Sequence, residues 1–357
     1  MYEYDKRVVL TLDAGGTNFV FSAIQGNNEM ISPIGLPAVS DNLDECLEVL
    51  VKGFDRVIAA IPVPPVAISF AFPGPADYEN GIIGDLPNFP SFRGGVALGP
   101  FLKHKYGIPV FIENDGNLFA YGEALSGALP MINRELSLAG CSREYKNLIG
   151  ITLGTGFGAG VVINKVLLTG DNGCGGDIWL MRNKKYPDML AEESVSIRAV
   201  RRVYSDLSGQ SSASLSPKDI YDIAEGIKEG DSHAAIASFN ELGIMAGAAI
   251  ASVLNVVDGL VVIGGGVAGA SKYILPALIT ELRAQLTTFS GNKFPCVSMQ
   301  VYNGEDESER ARFLSLSDSQ VVIPGTHLTT TYHQLKQTLV LCSNCLLYTS
   351  PSPRDCS

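Results

Sequence analysis

Twice in this chain a strand-forming run ends on glycines and resumes at once as a second such run, a pattern that folds the backbone into a hairpin. The first is Arg7 to Leu12, the turn Asp13-Ala14-Gly15-Gly16-Thr17-Asn18 and the run Phe19 to Ile24. The second is Leu148 to Leu153, then Gly154-Thr155-Gly156-Phe157-Gly158-Ala159-Gly160, then Val161 to Ile163. Residues without a Cβ let successive backbone N–H groups point into one concavity, and such a concavity binds phosphate oxygens. A single turn of this kind is most simply a tight hairpin. Two of them, each heading its own lobe, predict a pair of cradles facing one nucleotide.

Length supports two lobes, because 357 residues exceed the roughly 100–200 of a typical domain. The expected division is 1–125, 126–344 and a tail, 345–357, whose Ser/Pro run lacks core spacing and reads as non-native or disordered sequence. Hydrophobic residues make 46% of the chain and charged ones 18%, which excludes disorder as its general state. The net charge of -11 repels phosphate backbones, so nucleic acid is not an expected partner. Apolar stretches break well before about 20 residues, and the start lacks a basic segment followed by an apolar core. No membrane is expected, and a cytoplasmic location is. The seven cysteines read as ordinary reduced thiols; the Cys342/Cys345 pair, with His327 and His333 upstream, is a weak metal signal.

The remaining pattern is α/β. Helical spacing runs over Asp44 to Phe54, and Ala67 to Phe72 reads as a buried strand stopped by Pro73-Gly74-Pro75. Pro109 to Ile112 is a strand entering Glu113-Asn114-Asp115-Gly116-Asn117, after which a helix is expected over about 118–125. Apolar and small residues at helical spacing run from His233 to Val257. A strand from Leu260 to Ile263 then enters Gly264-Gly265-Gly266-Val267-Ala268-Gly269, and a helix is expected over about 273–286.

Two carboxylates suit phosphoryl transfer. Asp13, at a strand end before the first turn, suits Mg²⁺ held directly or through water; the plain alternative is an Asx turn. Asp115, beside Asn114 at a helix start, suits a base that accepts a proton from an attacking hydroxyl; the plain alternative is a helix cap. Gly264, Gly266 and Gly269 fit the spacing of a dinucleotide fingerprint, which favours an oxidoreductase if taken alone. That reading leaves two glycine turns unexplained, whereas a nucleotide-dependent kinase uses all three.

Together these motifs resemble the ROK family of bacterial sugar kinases, within the actin-like ATPase superfamily. The likeness rests on Asp13 to Asn18, Pro73-Gly74-Pro75, Asn88, Glu113 to Asn117 with Gly122-Glu123, Gly154 to Gly158, and Ile263 to Val267, and runs to about residue 340. It implies a two-lobed α/β fold with a mixed sheet in each lobe and a cleft between them, sugar and ATP as partners, Mg²⁺ as cofactor, and a homodimer. It implies Asp115 as the base acting on a sugar 6-hydroxyl, with Gly74, Asn88 and Asn114 contacting sugar. It further implies phosphates at Gly15, Gly16, Thr17, Asn18, Gly154, Thr155 and Gly156, adenosine near Gly265 and Gly266, and Asp13 serving the metal.

The sequence departs from the family at the sugar end. A Gly-Glu-Ile-Gly-His run and a cysteine-rich zinc motif are common there; here stand Gly176-Asp177-Ile178-Trp179-Leu180 and a cysteine-free stretch from Met181 to Leu190. Structural zinc is therefore not expected, Asp177 replaces a longer carboxylate, and Leu180 removes a histidine contact. Glu192 aligns with a glutamate that reaches the sugar, with Glu193 its rival by one position. The family's usual small-residue terminal helix is replaced by the Ser/Pro tail, which looks like a truncation or a splice. The expected function is ATP-dependent phosphorylation of a hexose or N-acetylhexosamine. A non-catalytic sugar sensor is the main alternative. A transcriptional regulator ranks lower, since only twelve residues precede Asp13.

Overall fold

The computed structural model describes residues 4–15, 18–84, 90–315 and 319–343; Gly16, Thr17, Asn88 and the tail from 344 lie outside the described residues. Both expected hairpins form. Val8–Ala14 pairs antiparallel with Asn18–Gln25, from Val8↔Gln25 to Ala14↔Phe19. Leu148–Leu153 pairs antiparallel with Phe157–Ile163, from Leu148↔Val162 to Leu153↔Phe157.

Each hairpin then gains parallel strands on the open side of its first strand. Ala67–Ala71 lies parallel to Val8–Ala14, and Val110–Glu113 lies parallel beyond it. In the other sheet Leu260–Gly264, Gln337–Cys342 and Gln300–Asn303 follow Leu148–Leu153 in that order, all parallel. Parallel neighbours need long crossovers, which is the work of helices such as Leu43–Ala60 and Ser232–Val257. Both sheets are thus mixed and built alike.

The chain forms two compact units, Met1–Leu118 with Thr169–Gly175, and Phe119–Leu168 with Gly176–Ser357. The division expected after residue 125 therefore moves to Leu118, inside the helix Asp115–Leu125, and a short segment returns to the first unit. The reason is packing. Phe119, Ala120 and Ala124 are buried in a core shared with Leu129, Leu148 and Leu260. A Cβ at Gly150 would stand 2.6 Å from the Cα of Ala120, so the helix lies directly on the sheet there.

In the first unit, helix Leu43–Ala60 is capped by the Asn42 side chain, which accepts the Glu45 N–H, and buries Cys46, Leu50, Phe54 and Val57 at helical spacing. Phe54 meets Phe21 edge-on at 5.2 Å. Gly53 makes that approach possible, since a Cβ there would fall 2.2 Å from the Phe21 ring.

In the second unit, Ser232–Val257 is the one helix among the described residues long and apolar enough to cross a membrane. It is a core helix: 61% of its most apolar window is buried within the protein. Gly243 and Gly247 bring it against the carbonyls of Ile274 and Leu278 in the helix Ser271–Leu282. That second helix ends at Leu282 rather than near 286, because Arg283 turns to donate to the Val301 carbonyl and Gln285–Thr287 pairs with Lys293–Pro295. Asp231 caps Ser232–Val257 by accepting the Ala234 N–H at 3.0 Å. Replacing it with Ala is expected to cost about 1 kcal/mol, read as a lower urea midpoint with an unchanged slope.

Candidate active site

Parallel strands deliver their ligand-binding loops at the carboxyl ends, and in the first unit three candidate groups leave the sheet at that edge. Strand register sets Asp13 level with Ala71, and Ala71 level with Glu113. Gly15 follows the first of these strands, Gly74 the second, and Asn114-Asp115 the third. Asp13 is half-buried within its strand, opposite Val20 of the hairpin partner. Asn18 opens the returning strand and is exposed.

The turn at Asn114 is built by its own side chains. Glu113 Oε1 accepts the Asn114 N–H at 2.8 Å and the Asn117 Nδ2 at 3.1 Å. Asn114 Oδ1 accepts the Gly116 N–H at 2.9 Å, which caps the helix Asp115–Leu125. The helix therefore starts at Asp115, three residues earlier than expected. Capping consumes the oxygen of Asn114 and leaves its Nδ2 without a hydrogen bond among the described residues. Asp115 is exposed; its Oδ1 accepts the Gly116 N–H at 2.8 Å, while Oδ2 has no hydrogen-bond partner among the described residues. The same neighbourhood thus holds a cap, Asn114, and a carboxylate oxygen open to a ligand, Asp115. The capping role considered for Asp115 thus falls to Asn114. At Gly74 a Cβ would come 3.0 Å from the Tyr78 hydroxyl, which donates to the Phe72 carbonyl.

In the second unit the two glycine turns abut. Leu148–Leu153 and Leu260–Gly264 are parallel neighbours with Thr152 level with Gly264, so Gly154 and Gly265 leave the same edge side by side. Gly265 has φ +89° and ψ 166°, and a Cβ on it would lie 2.4 Å from the Leu153 carbonyl oxygen. Gly266 opens a short 3-10 turn, Gly266–Ala270, before the helix Ser271–Leu282. At Gly154, by contrast, a Cβ would meet nothing within 4 Å, and Thr155 is exposed. The cradle is open on its outer side. The Gly154 N–H donates to the Gly156 carbonyl at 3.1 Å, which closes the turn.

The carboxylate of Glu192 lies against this turn. Its Oε2 accepts the Phe157 N–H at 3.0 Å and its Oε1 accepts from Arg198 at 2.8 Å. Glu193 is more exposed and bonds Arg198 alone through its side chain. Of the two aligned rivals, Glu192 is the one that bonds the turn, at Phe157. Asp177 is exposed on the turn before Ile178–Leu180 and makes no side-chain hydrogen bond among the described residues. Asn88, Gly16 and Thr17 fall outside the described residues. What sequence reasoning missed is the part of Ile197, whose N–H reaches the Gly154 carbonyl at 2.9 Å. A backbone contact of this kind has no residue-type signal.

Among the described residues no group of three or more His, Cys, Asp and Glu side chains is placed to hold a metal ion. Mg²⁺ in kinase sites keeps several waters and needs only one or two carboxylates besides substrate phosphates. Asp13, at the end of its strand, is chemically suited to supply one.

Comparison with known proteins agrees with this architecture. The family model described as ROK family matches residues 9–308. A crystal structure of glucokinase from Parabacteroides distasonis ATCC 8503 is 58% identical, with a TM-score of 0.88, over 96% of this chain and 94% of that one. Glucokinase of Thermotoga maritima is 26% identical over 76% of this chain and 86% of its own length. N-acetyl-D-glucosamine kinase of Vibrio cholerae serotype O1 is 29% identical over 48% of this chain and 51% of its own.

Proposed function

The chain belongs to the ROK family, with its actin-like α/β fold, and from that premise we propose that it is an ATP-dependent sugar kinase acting on the 6-hydroxyl of a hexose, glucose first among candidates. The observation that carries this reading is the 58% identity to a glucokinase along 96% of the chain. N-Acetylhexosamines are the second substrate class, by likeness to the Vibrio enzyme.

The residues divide the work between the two units. In the first, Gly74 and the Nδ2 of Asn114 bind sugar hydroxyls, a role the family resemblance also gives to Asn88. Asp115 Oδ2, the oxygen left open by the helix start, accepts the proton of the 6-hydroxyl as its oxygen attacks the γ-phosphorus. The bond from that phosphorus to the bridging oxygen breaks, and ADP leaves. In the second unit, Gly154, Thr155 and Gly156 receive phosphates, and Gly265 and Gly266 approach the adenosine. In the first unit, Gly15, Gly16, Thr17 and Asn18 are the matching phosphate positions. Mg²⁺, when held by Asp13, neutralises charge on the phosphate oxygens. Asp177 lines the sugar end. Phosphoryl transfer of this type needs little covalent chemistry from the protein, so positioning and electrostatics supply most of the rate.

A coupled ADP-release assay with ATP, Mg²⁺ and a panel of hexoses and N-acetylhexosamines tests the proposal. Turnover on glucose is expected, with the 6-phosphate identified by phosphorus NMR. Glucose binding by calorimetry without turnover would instead identify a sugar sensor, the reading favoured by Leu180 standing in place of a histidine.

A further inference from the structure

The glutamate that sequence alignment offers to the sugar spends its carboxylate on the other side of the reaction. One oxygen of Glu192 holds the Phe157 N–H, the first backbone donor after the turn Gly154-Thr155-Gly156, and the other holds Arg198. Five residues on, the Ile197 N–H binds the Gly154 carbonyl. The segment 192–197 therefore grips the turn at both ends. Glycine at 156 belongs to the same arrangement: a Cβ there would stand 2.6 Å from Glu192 Oε2, so the side chain is absent where the carboxylate must enter.

We infer that Glu192 is a positioning residue for the nucleotide, fixing the second glycine turn in its phosphate-receiving shape, with Arg198 as the counter-charge that makes a carboxylate tolerable there. This rests on the kinase reading above. An uncompensated carboxylate against a phosphate cradle would repel the ligand. Arg198 sits at 2.8 Å from Glu192 and 2.7 Å from Glu193, so the carboxylate that accepts the Phe157 N–H is paired with a cation. Phe157 itself is buried, so no bulk water replaces a lost acceptor at its N–H.

ADP affinity by titration calorimetry, measured beside KM for ATP and for glucose, tests this on the full chain. Glu192→Ala is expected to weaken ADP binding about tenfold, the loss of one charge-assisted hydrogen bond, and to raise KM for ATP in parallel. Glu192→Gln, which keeps an acceptor for Phe157, recovers most of that loss. Gly156→Ala alone weakens ADP binding similarly, but adding it to Glu192→Ala costs nothing further, because the space is already vacant. Circular dichroism and melting midpoints establish that each variant is folded, and Gly156→Ala, whose Cβ would stand 2.6 Å from Glu192 Oε2, carries the test if Glu192→Ala is not. A rise in KM for glucose with ADP affinity unchanged overturns the inference and leaves Glu192 a sugar ligand. Additive effects of the two substitutions also overturn it. A wild-type chain that binds no ADP and turns over no sugar overturns the kinase reading itself, and this inference with it; wild-type turnover with unaltered variants removes the inference alone.

Discussion

Asp115→Asn is expected to lower turnover by about 10²- to 10⁴-fold, the span associated with loss of a positioned general base, while ADP binding and melting temperature stay near wild type. The structure separates these effects. Asp115 Oδ1 serves the fold by accepting the Gly116 N–H, and an amide oxygen does that equally well. Oδ2 has no hydrogen bond within the described chain, so its replacement removes a proton acceptor and disturbs no contact. The glycine turns of the second unit, at Gly154 and Gly265, are untouched. Steady-state kinetics and a thermal melt of the same preparation check the split; turnover within threefold of wild type would remove Asp115 from the role of base.

Gly265→Ala carries the largest expected stability loss at the site. The residue combines φ +89° with ψ 166°, a region essentially confined to glycine, and its absent Cβ would lie 2.4 Å from the Leu153 carbonyl oxygen and 2.7 Å from the Leu153 nitrogen. Backbone strain of about 1–3 kcal/mol adds to overpacking of about 1–3 kcal/mol, a total on the order of 2–6 kcal/mol. Neither neighbour can yield, since Leu153 is a buried residue of the central hairpin. Urea unfolding should show the full loss. Gly154→Ala is the control: a Cβ there meets nothing within 4 Å among the described residues, so stability is expected to hold while KM for ATP rises. Equal stability of the two variants would contradict the stated geometry.

The comparison of these two glycines shows what kind of information lies in the chain as written. Both belong to motifs readable from spacing, and Leu148–Leu153 forms as the pattern predicts, because strand and turn preferences act over a few residues. The reasons for the glycines differ, and only the tertiary neighbours reveal them: Gly265 is required by Leu153, Gly156 by the carboxylate of Glu192, and Gly154 by nothing within 4 Å among the described residues.

Element ends were less legible. The helix expected from about 118 starts at Asp115 because Asn114, not a later residue, supplies the cap. The helix expected to reach 286 stops at Leu282, where Arg283 finds a carbonyl eighteen residues away. The expected boundary at 125 falls at Leu118 because Phe119 and Ala120 pack into the second unit.

Local chemistry therefore determined the hairpins, the helix with Asp115 at its head, and the α/β class. Tertiary structure alone decided that Gln337–Cys342 runs between Leu260–Gly264 and Gln300–Asn303, and that Glu192 reaches back 35 residues to the turn at Phe157. The physical reason is range. Propensity and turn geometry are set by neighbours a few residues apart, whereas register between distant strands and the partner of a buried N–H are chosen by packing and hydrogen-bond satisfaction over the whole core.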